Sequence, residues 1–379
     1  MNEAPATLDG VLRGIPNDCL VILVSNSNVP NFEVESKIFE PICTANERRG
    51  IRIHQKDPGI AEAILSAGIS ALVEPYGNAH LVRSGRGEAM MIGTALTRLA
   101  HKRFIDFIDA NNFIPGAVSE YCAVYAAGLH YALYQTGTEN QYAMVRIKWN
   151  SKPKVRDGKI VFEKVGRSSC VTNCWMSRLL TTLTTASADI DHNIDIDDAL
   201  DFASDTSADR PTSTSTTSDV TNATDLTPFT DMTKPASHND FVQTANAGEH
   251  AMNLNLALNI PFASGYAVEP HQLVHSFSTL SRLERSVQIL QIETRNPHFH
   301  NSGKGDGHIK RMQASGLSTI YHSPLAPIEL KDEIREFCRS GLGEVCGVDG
   351  ELEDCVVYPC RKGMDCEAFR EVLRRGFRR

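Results

Sequence analysis

The stretch FIDFIDANNF (residues 104–113) decides the fold class of this chain. Its first half carries β-branched and aromatic residues, which favour a β-strand, and its second half is a small polar cluster typical of a turn. Asp109 marks the junction, at the carboxyl end of the predicted strand. An acidic group in that position can hold a metal ion against a phosphate. Two residues on, however, the chain has Asn111 instead of a second carboxylate, so a plain turn is the alternative interpretation.

Strand patterns and helical patterns alternate on the N-terminal side of this stretch. VILVSNS (21–27) is an apolar run that ends in small polar residues, and IRIHQKDPG (51–59) alternates before a turn. AEAILSAG (61–68) and AMMIGTALTRLAHK (89–102) have the pattern of helices. Strands separated by helices predict a parallel sheet flanked by helices, in which ligands gather at the carboxyl ends of the strands. The residues predicted at such ends are Ser25, Asn26, Ser27, Gln55, Lys56, Asp57 and Asp109.

Two later segments carry strand-like alternation. YAMVRIKWNSKPKVRDGKIVFEKVG (142–166) alternates and contains Asp157-Gly158, so we predict a β-hairpin with basic residues. MNLNLALN (252–259) also alternates, although Leu254 and Leu258 share a helical face, and we predict a helix there.

The segment 185–240 has a different composition from the rest of the chain. Between Ala186 and Asp240 there are twelve Asp, no Glu and two basic residues, among many Ser and Thr. Such a segment buries too little apolar surface to offset its chain entropy, so we predict a disordered acidic insert. The insert accounts for the formal net charge of −8, and the remainder of the chain is nearly neutral. This balance argues against a general nucleic-acid surface and is compatible with a small anionic substrate.

Composition places the chain among soluble globular proteins. It has 379 residues, 41% hydrophobic and 22% charged, and no apolar run approaches the roughly 20 residues that span a bilayer. The start of the chain lacks the pattern of a signal peptide, so we predict a cytoplasmic protein without membrane contact. The ten Cys are irregularly spaced and are predicted to be reduced thiols, with a zinc site in the Cys-rich C-terminal region as a minor alternative.

Four motifs carry groups suited to chemistry. VRSGRGEAMMIG (82–93) places Arg86 between two glycines before a helix, which suits a phosphate or a plain tight turn. QTANAGEHAM (243–252) places His250 after a small-residue turn, either as a structural residue or, if it meets Asp109, in a mixed oxygen and nitrogen site for Mg²⁺ or Mn²⁺. VGRSSCVTNCW (165–175) suits an anion or a polar loop, and ETRNPHFHNSGKGDGHI (293–309) suits an active-site loop or, less well, zinc.

Seven motifs in order resemble the mannosyl-3-phosphoglycerate synthase family, which are retaining glycosyltransferases of the GT-A architecture. They are SGRGEAMMIG, FIDFIDANNFIPGAVSEY, VRIKWNSKPKVRDGKIVF, GRSSCVTN, NAGEHAM, GYAVEP and QIETRNPHFH. The resemblance covers about residues 8–184 and 241–325. It implies an α/β sheet of GT-A type flanked by helices, with a β-hairpin acceptor region. The chain is therefore divided into residues 1–184 and 241–330 of one GT-A domain, the insert 185–240, and a C-terminal tail, 331–379.

The resemblance also implies a reaction and its site. Mannose would pass from GDP-mannose to the 2-hydroxyl of 3-phosphoglycerate with a divalent metal, Mg²⁺ or Mn²⁺, as a step in the synthesis of mannosylglycerate, a compatible solute. The sequence does not determine the oligomeric state, and a homodimer is kept as one candidate assembly. The implied catalytic residues are Asp109 and Arg86, and the metal ligands are Asp109, Asn111 and His250. The donor-binding residues are Ser25, Asn26, Ser27, Gln55, Lys56, Asp57, Gly85, Gly87 and Glu88, and the acceptor-binding residues are Arg167, Thr172 and Asn173.

The chain departs from the family pattern at three places. The family motif Asp-Ala-Asp is here Asp109-Ala110-Asn111, and an amide oxygen should bind a metal more weakly than a carboxylate. The first strand, before the helix that starts near Leu8, is missing from the sequence. The acidic insert separates the acceptor motif from His250, although loop closure costs grow only slowly with length. These departures keep open an alternative function, a catalytically impaired binding protein derived from the enzyme. A nucleotidyltransferase ranks last.

Overall fold

The computed structural model describes residues 4–135, 142–156, 159–163, 166–191, 242–280, 287–299, 305–347 and 349–376. Of the acidic insert predicted at 185–240, the residues after Asp191 therefore lie outside the described ranges. The described helices are α1 (Ala4–Gly14), α2 (Val29–Ala45), α3 (Pro58–Ser66), α4 (Arg86–Leu99), α5 (Pro115–His130), α6 (Arg167–Asp191), α7 (Leu254–Asn259), α8 (Val268–His275), α9 (Asp306–Tyr321), α10 (Ile328–Gly341) and α11 (Cys366–Gly376). The described strands are β1 (Val21–Ser25), β2 (Gly50–His54), β3 (Val73–Tyr76), β4 (Ala79–Val82), β5 (Phe104–Phe107), β6 (Tyr142–Lys148), β7 (Lys152–Arg156), β8 (Lys159–Glu163), β9 (His250–Asn253), β10 (Phe262–Ala263), β11 (Val287–Glu293) and β12 (Val357–Tyr358).

The α/β class predicted from the alternating patterns is confirmed. A four-stranded sheet has the order β11-β6-β9-β5, and β1 and β2 form a separate parallel pair. The prediction of a parallel sheet is wrong for the larger sheet, because β9 runs antiparallel to both β5 and β6 while β11 is parallel to β6. Periodicity along the chain cannot reveal this, since the direction of β9 is set by pairing between distant segments.

The predicted hairpin at 142–166 is shorter than expected. β7 and β8 form an antiparallel pair in the register Lys152↔Glu163, as predicted. β6, however, is a strand of the four-stranded sheet with a neighbour on each side, and all of it except Lys148 is buried. A strand buried on both faces needs an apolar run rather than alternation, and YAMV supplies that run.

The ambiguous segment at 252–259 is both a strand and a helix. β9 ends and α7 begins at the junction between Asn253 and Leu254. The side chain of Asn253 accepts a hydrogen bond from the backbone nitrogen of Leu256 at 3.3 Å, which is the usual N-terminal cap of a helix. The helix prediction therefore holds from Leu254, and the alternation before it belongs to β9.

A gap separates the β1–β2 pair from the four-stranded sheet. In the described chain, β1 pairs only with β2, and β5 pairs only with β9. A cavity of about 1350 Å³ lies between their open edges and is lined by residues 21–24 and 104–107. Helices α1, α4 and α5 also contribute to its walls. This volume exceeds the roughly 300–1,000 Å³ of a typical ligand-binding cleft.

The segment predicted as a C-terminal tail is folded into the main hydrophobic core. Ile334, Phe337 and Phe369 are buried there together with residues of α3 and α4. The buried guanidinium of Arg361 donates to the carbonyl oxygen of Ile260 at 3.1 Å, which ties the segment to the end of α7. Across the helices that the structure describes, none combines the length and apolar character needed to cross a membrane.

Candidate active site

Three charged side chains meet near the end of β5. Arg86 is the first residue of α4, Asp109 follows β5 by two residues, and Glu269 lies in the first turn of α8. Nη1 of Arg86 lies 2.7 Å from Oδ1 and 2.8 Å from Oδ2 of Asp109, while Nε of Arg86 forms an ion pair with Glu269. Only 4% of the Glu269 side chain is exposed, so its end of the network is sheltered from the solvent that weakens surface ion pairs, whereas 32% of the Asp109 side chain is exposed.

Charges within this network keep Arg86 ionised. Burial alone lowers the pKa of Arg86, but the carboxylates of Asp109 and Glu269 outweigh burial and raise the pKa above its ordinary value. Burial raises the pKa of Glu269, and the guanidinium of Arg86 opposes that rise. Arg86 therefore carries a permanent positive charge whose planar donor groups suit a phosphate as well as a carboxylate.

His250 begins β9 and is fully buried. Its Nδ1 lies 3.2 Å from the carbonyl oxygen of Ala247, whereas its buried Nε2 has no hydrogen-bond partner among the described residues. Burial, followed by the positive charges of Arg146 and Arg86, lowers the pKa of His250 well below its ordinary value. The imidazole is therefore neutral at pH 7, which is the form that binds a metal ion.

Asp109 lies beside the residues that lead into His250. The register of the β5–β9 pair places Phe107 opposite His250, so the chain after Phe107 runs past the residues before His250. A Cβ atom at Gly248 would lie 2.9 Å from Oδ2 of Asp109 and would overlap the guanidinium of Arg86. Diagonal neighbours in an antiparallel pair are about 7–8 Å apart, a separation that two side chains bound to one ion can span.

Asn111 occupies the third position of the predicted metal motif. Its Oδ1 is buried and has no hydrogen-bond partner in the described part of the chain. The adjacent Asn112 is committed elsewhere, because its fully buried Nδ2 lies 3.3 Å from the hydroxyl of Tyr121. Unpaired buried polar atoms are rare in folded proteins and usually have an external partner. The oxygens of Asp109 and Asn111 and Nε2 of His250 fit the mixed donor set that Mg²⁺ or Mn²⁺ accepts.

The zinc alternatives find no support in the residues that the structure describes. Nowhere in those ranges do three or more His, Cys, Asp or Glu side chains gather in a way that could hold a metal ion. The predicted ligand set of Asp109, Asn111 and His250 contains only two residues of these four types, so this absence does not bear on it. In the loop after β11, the ring of His298 stacks on Trp149 at 4.2 Å, and its Nδ1 lies 3.2 Å from the hydroxyl of Tyr121. These contacts hold His298 in a structural network.

The cavity between β1 and β5 gathers much of the predicted donor site. Nε2 of Gln55 donates to the carbonyl oxygens of Arg83 at 2.6 Å and Gly85 at 3.2 Å, which ties the end of β2 to the loop before α4. The buried Oε1 of Gln55 has no hydrogen-bond partner within the described ranges. The predicted residues that line this cavity are Asn26, Gln55, Gly85, Arg86, Asp109 and Asn111.

Other predicted donor-binding residues after β1 and β2 make contacts within the protein. Asp57 caps α3, because its Oδ1 accepts from the backbone nitrogen two residues on at 2.7 Å. Nζ of Lys56 lies 3.5 Å from Glu74. The hydroxyl of Ser27 donates to a carboxylate of α2 at 2.5 Å, and its backbone nitrogen donates to the hydroxyl of Ser25 at 3.2 Å. These contacts lie near the cavity, and the role of the four residues in donor binding stays a prediction.

The predicted residues Gly85, Gly87 and Glu88 shape the start of α4. The buried carboxylate of Glu88 accepts from the hydroxyl of Tyr358 at 2.6 Å and from the backbone nitrogen of Gly265 at 3.2 Å. A Cβ atom at Gly85 would overlap that carboxylate, and one at Gly87 would overlap a carbonyl oxygen of β10. The two glycines are therefore required by close packing within the protein, and this packing places Arg86 at the helix start.

The predicted acceptor residues on α6 face the segment that leads into β9. Nδ2 of Asn173 donates to the carbonyl oxygen of Gln243 at 2.8 Å, and its Oδ1 accepts from the backbone nitrogen of Ala245 at 2.8 Å. Oγ1 of Thr172 accepts from Nδ2 of Asn246 at 2.9 Å. These contacts hold the segment before His250 in place. The side chain of Arg167 lies outside the described residues.

Reasoning from single residues missed three groups near Arg86 and Asp109. Glu269 pairs with Arg86, and the ring of Tyr266 lines the cavity. Glu249 is 1% exposed, both its carboxylate oxygens have no hydrogen-bond partner among described residues, and burial together with the charge of Asp109 raises its pKa. The motifs GYAVEP and NAGEHAM contain all three residues, but their roles depend on contacts that the motifs do not reveal.

Comparison with known proteins identifies the family. A family model described as mannosyl-3-phosphoglycerate synthase matches residues 1–200 and 208–373. A mannosyl-3-phosphoglycerate synthase of Pyrococcus furiosus is 34% identical over 346 residues, which cover 88% of this chain and 72% of that protein. The chain belongs to the mannosyl-3-phosphoglycerate synthase family. The resemblance seen in the ordered motifs is confirmed, and so is the prediction that the chain is a glycosyltransferase enzyme.

Two further matches each cover more than four fifths of this chain. The mannosyl-3-phosphoglycerate synthase of Aeropyrum pernix is 27% identical over 356 residues, which cover 90% of this chain and 76% of that protein. Among solved structures, a glucosyl-3-phosphoglycerate synthase of Mycobacterium tuberculosis in complex with Mn²⁺, UDP-glucose and phosphoglyceric acid is 18% identical. The match has a TM-score of 0.43 and covers 83% of this chain and 75% of that one.

Proposed function

We propose that this member of the mannosyl-3-phosphoglycerate synthase family transfers mannose from GDP-mannose to the 2-hydroxyl of 3-phosphoglycerate, with retention. The main support is the family match on both sides of the acidic insert, over residues 1–200 and 208–373. The gathering of Arg86 and Asp109 at one edge of the cavity adds a physical argument, because a nucleotide diphosphate requires positive charge there.

The donor site would combine a metal with protein groups. Asp109, Asn111 and His250 are the proposed ligands of a divalent ion, Mg²⁺ or Mn²⁺. When bound, such an ion neutralises negative charge that develops on the departing diphosphate. Arg86 stands at the N-terminus of α4, where the helix dipole adds to its positive charge and favours a phosphate. Gln55 offers its unpaired Oε1 to a donor group in the same cavity.

The acceptor would bind on the other side of the His250 segment. Because 3-phosphoglycerate is an anion, a cationic and hydrogen-bonding pocket both binds and orients it. Arg167, Thr172 and Asn173 remain the proposed acceptor-binding residues. The contacts of Asn173 with the backbone before β9 support a role in orienting this region, since both polar atoms of its side chain are already engaged.

A direct assay tests the proposal. Purified full-length chain is incubated with GDP-mannose, 3-phosphoglycerate and either Mg²⁺ or Mn²⁺, and the product is identified by mass spectrometry and by the anomeric configuration of mannose. Formation of α-mannosyl-3-phosphoglycerate with release of GDP supports the proposal. Competition with GDP-glucose and UDP-glucose determines the preferred donor.

The same experiment decides the alternative function. A catalytically impaired binding protein would bind GDP-mannose or 3-phosphoglycerate in calorimetry and would give no product. Full activity of the unmodified chain rejects that alternative. The cytoplasmic location expected from the sequence stays a prediction that fractionation can test, and light scattering can test the candidate homodimer.

A further inference from the structure

Arg86 makes contact with the atoms of Asp109 that a metal ion would use. A single nitrogen, Nη1, lies 2.7 Å from Oδ1 and 2.8 Å from Oδ2 of Asp109. A divalent ion bound to either oxygen at about 2.1 Å would place two like charges within a few ångströms of each other. The guanidinium in this position and a metal ion on Asp109 are therefore mutually unfavourable.

Glu269 holds the same guanidinium from another side. It forms an ion pair with Nε of Arg86, the nitrogen nearest the aliphatic stem, while Nη1 contacts Asp109. The Glu269 side chain is 4% exposed, compared with 32% for Asp109. An ion pair in a buried position is costly to break, because it leaves an uncompensated charge away from water. The ion pair with Glu269 lacks the geometry of a hydrogen bond, but it is the more sheltered of the two contacts, so the more exposed contact with Asp109 is the one that can be exchanged.

The surroundings leave little room beside the guanidinium. A Cβ atom at Gly248 would overlap Nη2 of Arg86, so the backbone before His250 lies directly against it. Tyr266 lines the neighbouring cavity, and the charges of Arg86 and Asp109 both affect the pKa of its hydroxyl. The end of the Arg86 side chain therefore lies between the proposed metal ligands and the cavity proposed for the donor.

We propose that Arg86 and the divalent ion bind Asp109 in alternation, and that Glu269 is a positioning residue that keeps Arg86 at the site when its guanidinium turns to the donor diphosphate. This inference rests on the proposed function for the identity of the metal and the donor. It has a thermodynamic consequence. The donor draws Arg86 away from Asp109 and so raises the affinity for the metal, and the metal raises the affinity for the donor by the same factor.

Metal binding in the absence of nucleotide tests the first part of the proposal, which is that Arg86 and the divalent ion alternate at Asp109. The dissociation constant of Mn²⁺ is measured by electron paramagnetic resonance on the full chain and on Arg86→Gln, Arg86→Lys and the control Arg311→Gln. Arg311 is an exposed residue of α9 whose charge also affects Tyr266, so the control removes a nearby positive charge other than the one paired with Asp109. We expect Arg86→Gln to bind Mn²⁺ about tenfold more tightly than the unmodified chain, which is within the usual range of such coupling.

The control and the conservative variant make the outcome decisive. Arg86→Lys keeps the charge but loses the planar fork, so it should give an intermediate Mn²⁺ affinity. It also replaces Arg86→Gln if circular dichroism shows that the latter does not fold. Arg311→Gln should stay within about twofold of the unmodified chain, because the charge it removes is exposed and largely screened. Mn²⁺ affinity that is unchanged or weaker in the Arg86 variants, or equally improved in Arg311→Gln, overturns the proposal.

Nucleotide binding tests the role of Glu269. Calorimetry with GDP and Mn²⁺ should show weaker GDP binding, by about tenfold, for Glu269→Gln, with partial recovery in Glu269→Asp. In the double variant Arg86→Gln/Glu269→Gln, the second change should have no further effect on GDP binding, because Glu269 acts through Arg86. If active, Glu269→Gln should raise the KM for the donor more than it lowers kcat. Additive losses in the double variant, or a lower Tm with normal GDP binding, contradict a positioning role.

These readouts separate this proposal from the proposed function. Mn²⁺ and GDP binding are measured without 3-phosphoglycerate and without transfer of a sugar. If the chain shows no mannosyltransfer but follows the expected Mn²⁺ and GDP pattern, the proposed function fails and the alternation holds. If the chain is active but its Mn²⁺ affinity is independent of Arg86, the proposed function holds and the alternation fails.

Discussion

Phe107 and His250 face each other across the antiparallel pair of β5 and β9, with their ring centroids 5.0 Å apart. Residues 107 and 250 are 143 positions apart in the sequence, so this pairing joins two distant motifs. It brings the residues after Phe107, including Asp109, beside the residues before His250. The same contact explains why His250 is buried while Nε2 has no hydrogen-bond partner among the described residues, a combination that suits a metal ligand.

The amide at Asn111 should weaken metal binding relative to a carboxylate. We expect Asn111→Asp to raise the affinity for Mn²⁺ by about tenfold, because an ionised carboxylate is a stronger ligand of a hard cation than a neutral amide. Mannosyl transfer at low metal concentration should rise in parallel. Both are measured by titrating Mn²⁺ against binding and against product formation.

A matched control separates coordination from general electrostatics. Ala110→Asp adds the same charge one position away, on an exposed residue that also lines the cavity. A side chain at an adjacent position points elsewhere, so its effect on Mn²⁺ affinity should be small. Equal effects of the two substitutions would show that charge alone matters and that Asn111 is not a ligand.

The unpaired Nε2 of His250 should lower stability in the absence of metal. Replacement by an apolar residue in His250→Leu removes a buried unsatisfied nitrogen, which typically costs about 1–3 kcal/mol. We expect the Tm in EDTA to stay the same or rise, while Mn²⁺ affinity falls at least tenfold. Differential scanning calorimetry and Mn²⁺ titration measure the two effects. A large fall in Tm together with unchanged Mn²⁺ binding would assign His250 to the core alone.

Asn173 should stabilise the segment that leads into β9. Asn173→Ala removes two hydrogen bonds of 2.8 Å to the backbone of Gln243 and Ala245, and we expect a loss of about 2 kcal/mol in the free energy of unfolding. The KM for 3-phosphoglycerate should also rise. Urea unfolding and steady-state kinetics measure both. The control Asn259→Ala removes an exposed amide of α7 that bonds only within the helix in the contacts described, and should change stability by about 0.5 kcal/mol or less.

An added strand should fill the gap between β1 and β5. We expect that an N-terminal extension with five alternating Val and Ile residues and a short linker before Ala4 raises the Tm. The added strand would pair with the open backbone edges and bury apolar side chains, each worth about 2 kcal/mol. The control is an extension of the same length made of Gly and Ser. Equal Tm values for both extensions would mean that the cavity does not accept a strand.

Asp106 should make stability depend on pH. It lies in β5 with its side chain exposed to the cavity, and desolvation by the surrounding cavity walls raises its pKa from 3.8 to about 6. Because the folded state holds its proton more tightly than the unfolded state, Asp106 lowers the free energy of unfolding as pH rises from about 4 to 6, and the penalty is constant above. Asp106→Asn should therefore raise the Tm at pH 7.5 but not at pH 4.

The size of this effect is limited by solvent in the cavity. Asp106 is exposed to the cavity, so water reaches its carboxylate. The loss in the free energy of unfolding at pH 7.5 should therefore be about 1 kcal/mol. Calorimetric scans of both proteins across pH 4–8 measure the difference. A difference in Tm that is independent of pH would contradict the titration of Asp106 in this range.

Local sequence patterns were enough to predict several helices and strands and to identify the family. The apolar run before Ser25, the helical pattern after Arg86 and the strand before Asp109 were all predicted and are present in the structure. These features follow from local propensity and periodicity, which depend on neighbours along the chain. The ordered motifs determined the family because each carries several residues in fixed spacing.

Tertiary structure alone decided strand direction, the partners of charged groups and the roles of the glycines. The antiparallel direction of β9, the contact of Arg86 with Glu269 and the close packing at Gly248 join segments that are distant in sequence. Asp57 and Glu88, which were predicted to bind the donor, also form a helix cap and a buried hydrogen bond that the sequence did not predict. Residue type fixes what a side chain can bind, whereas the packing of distant segments fixes which partner it meets.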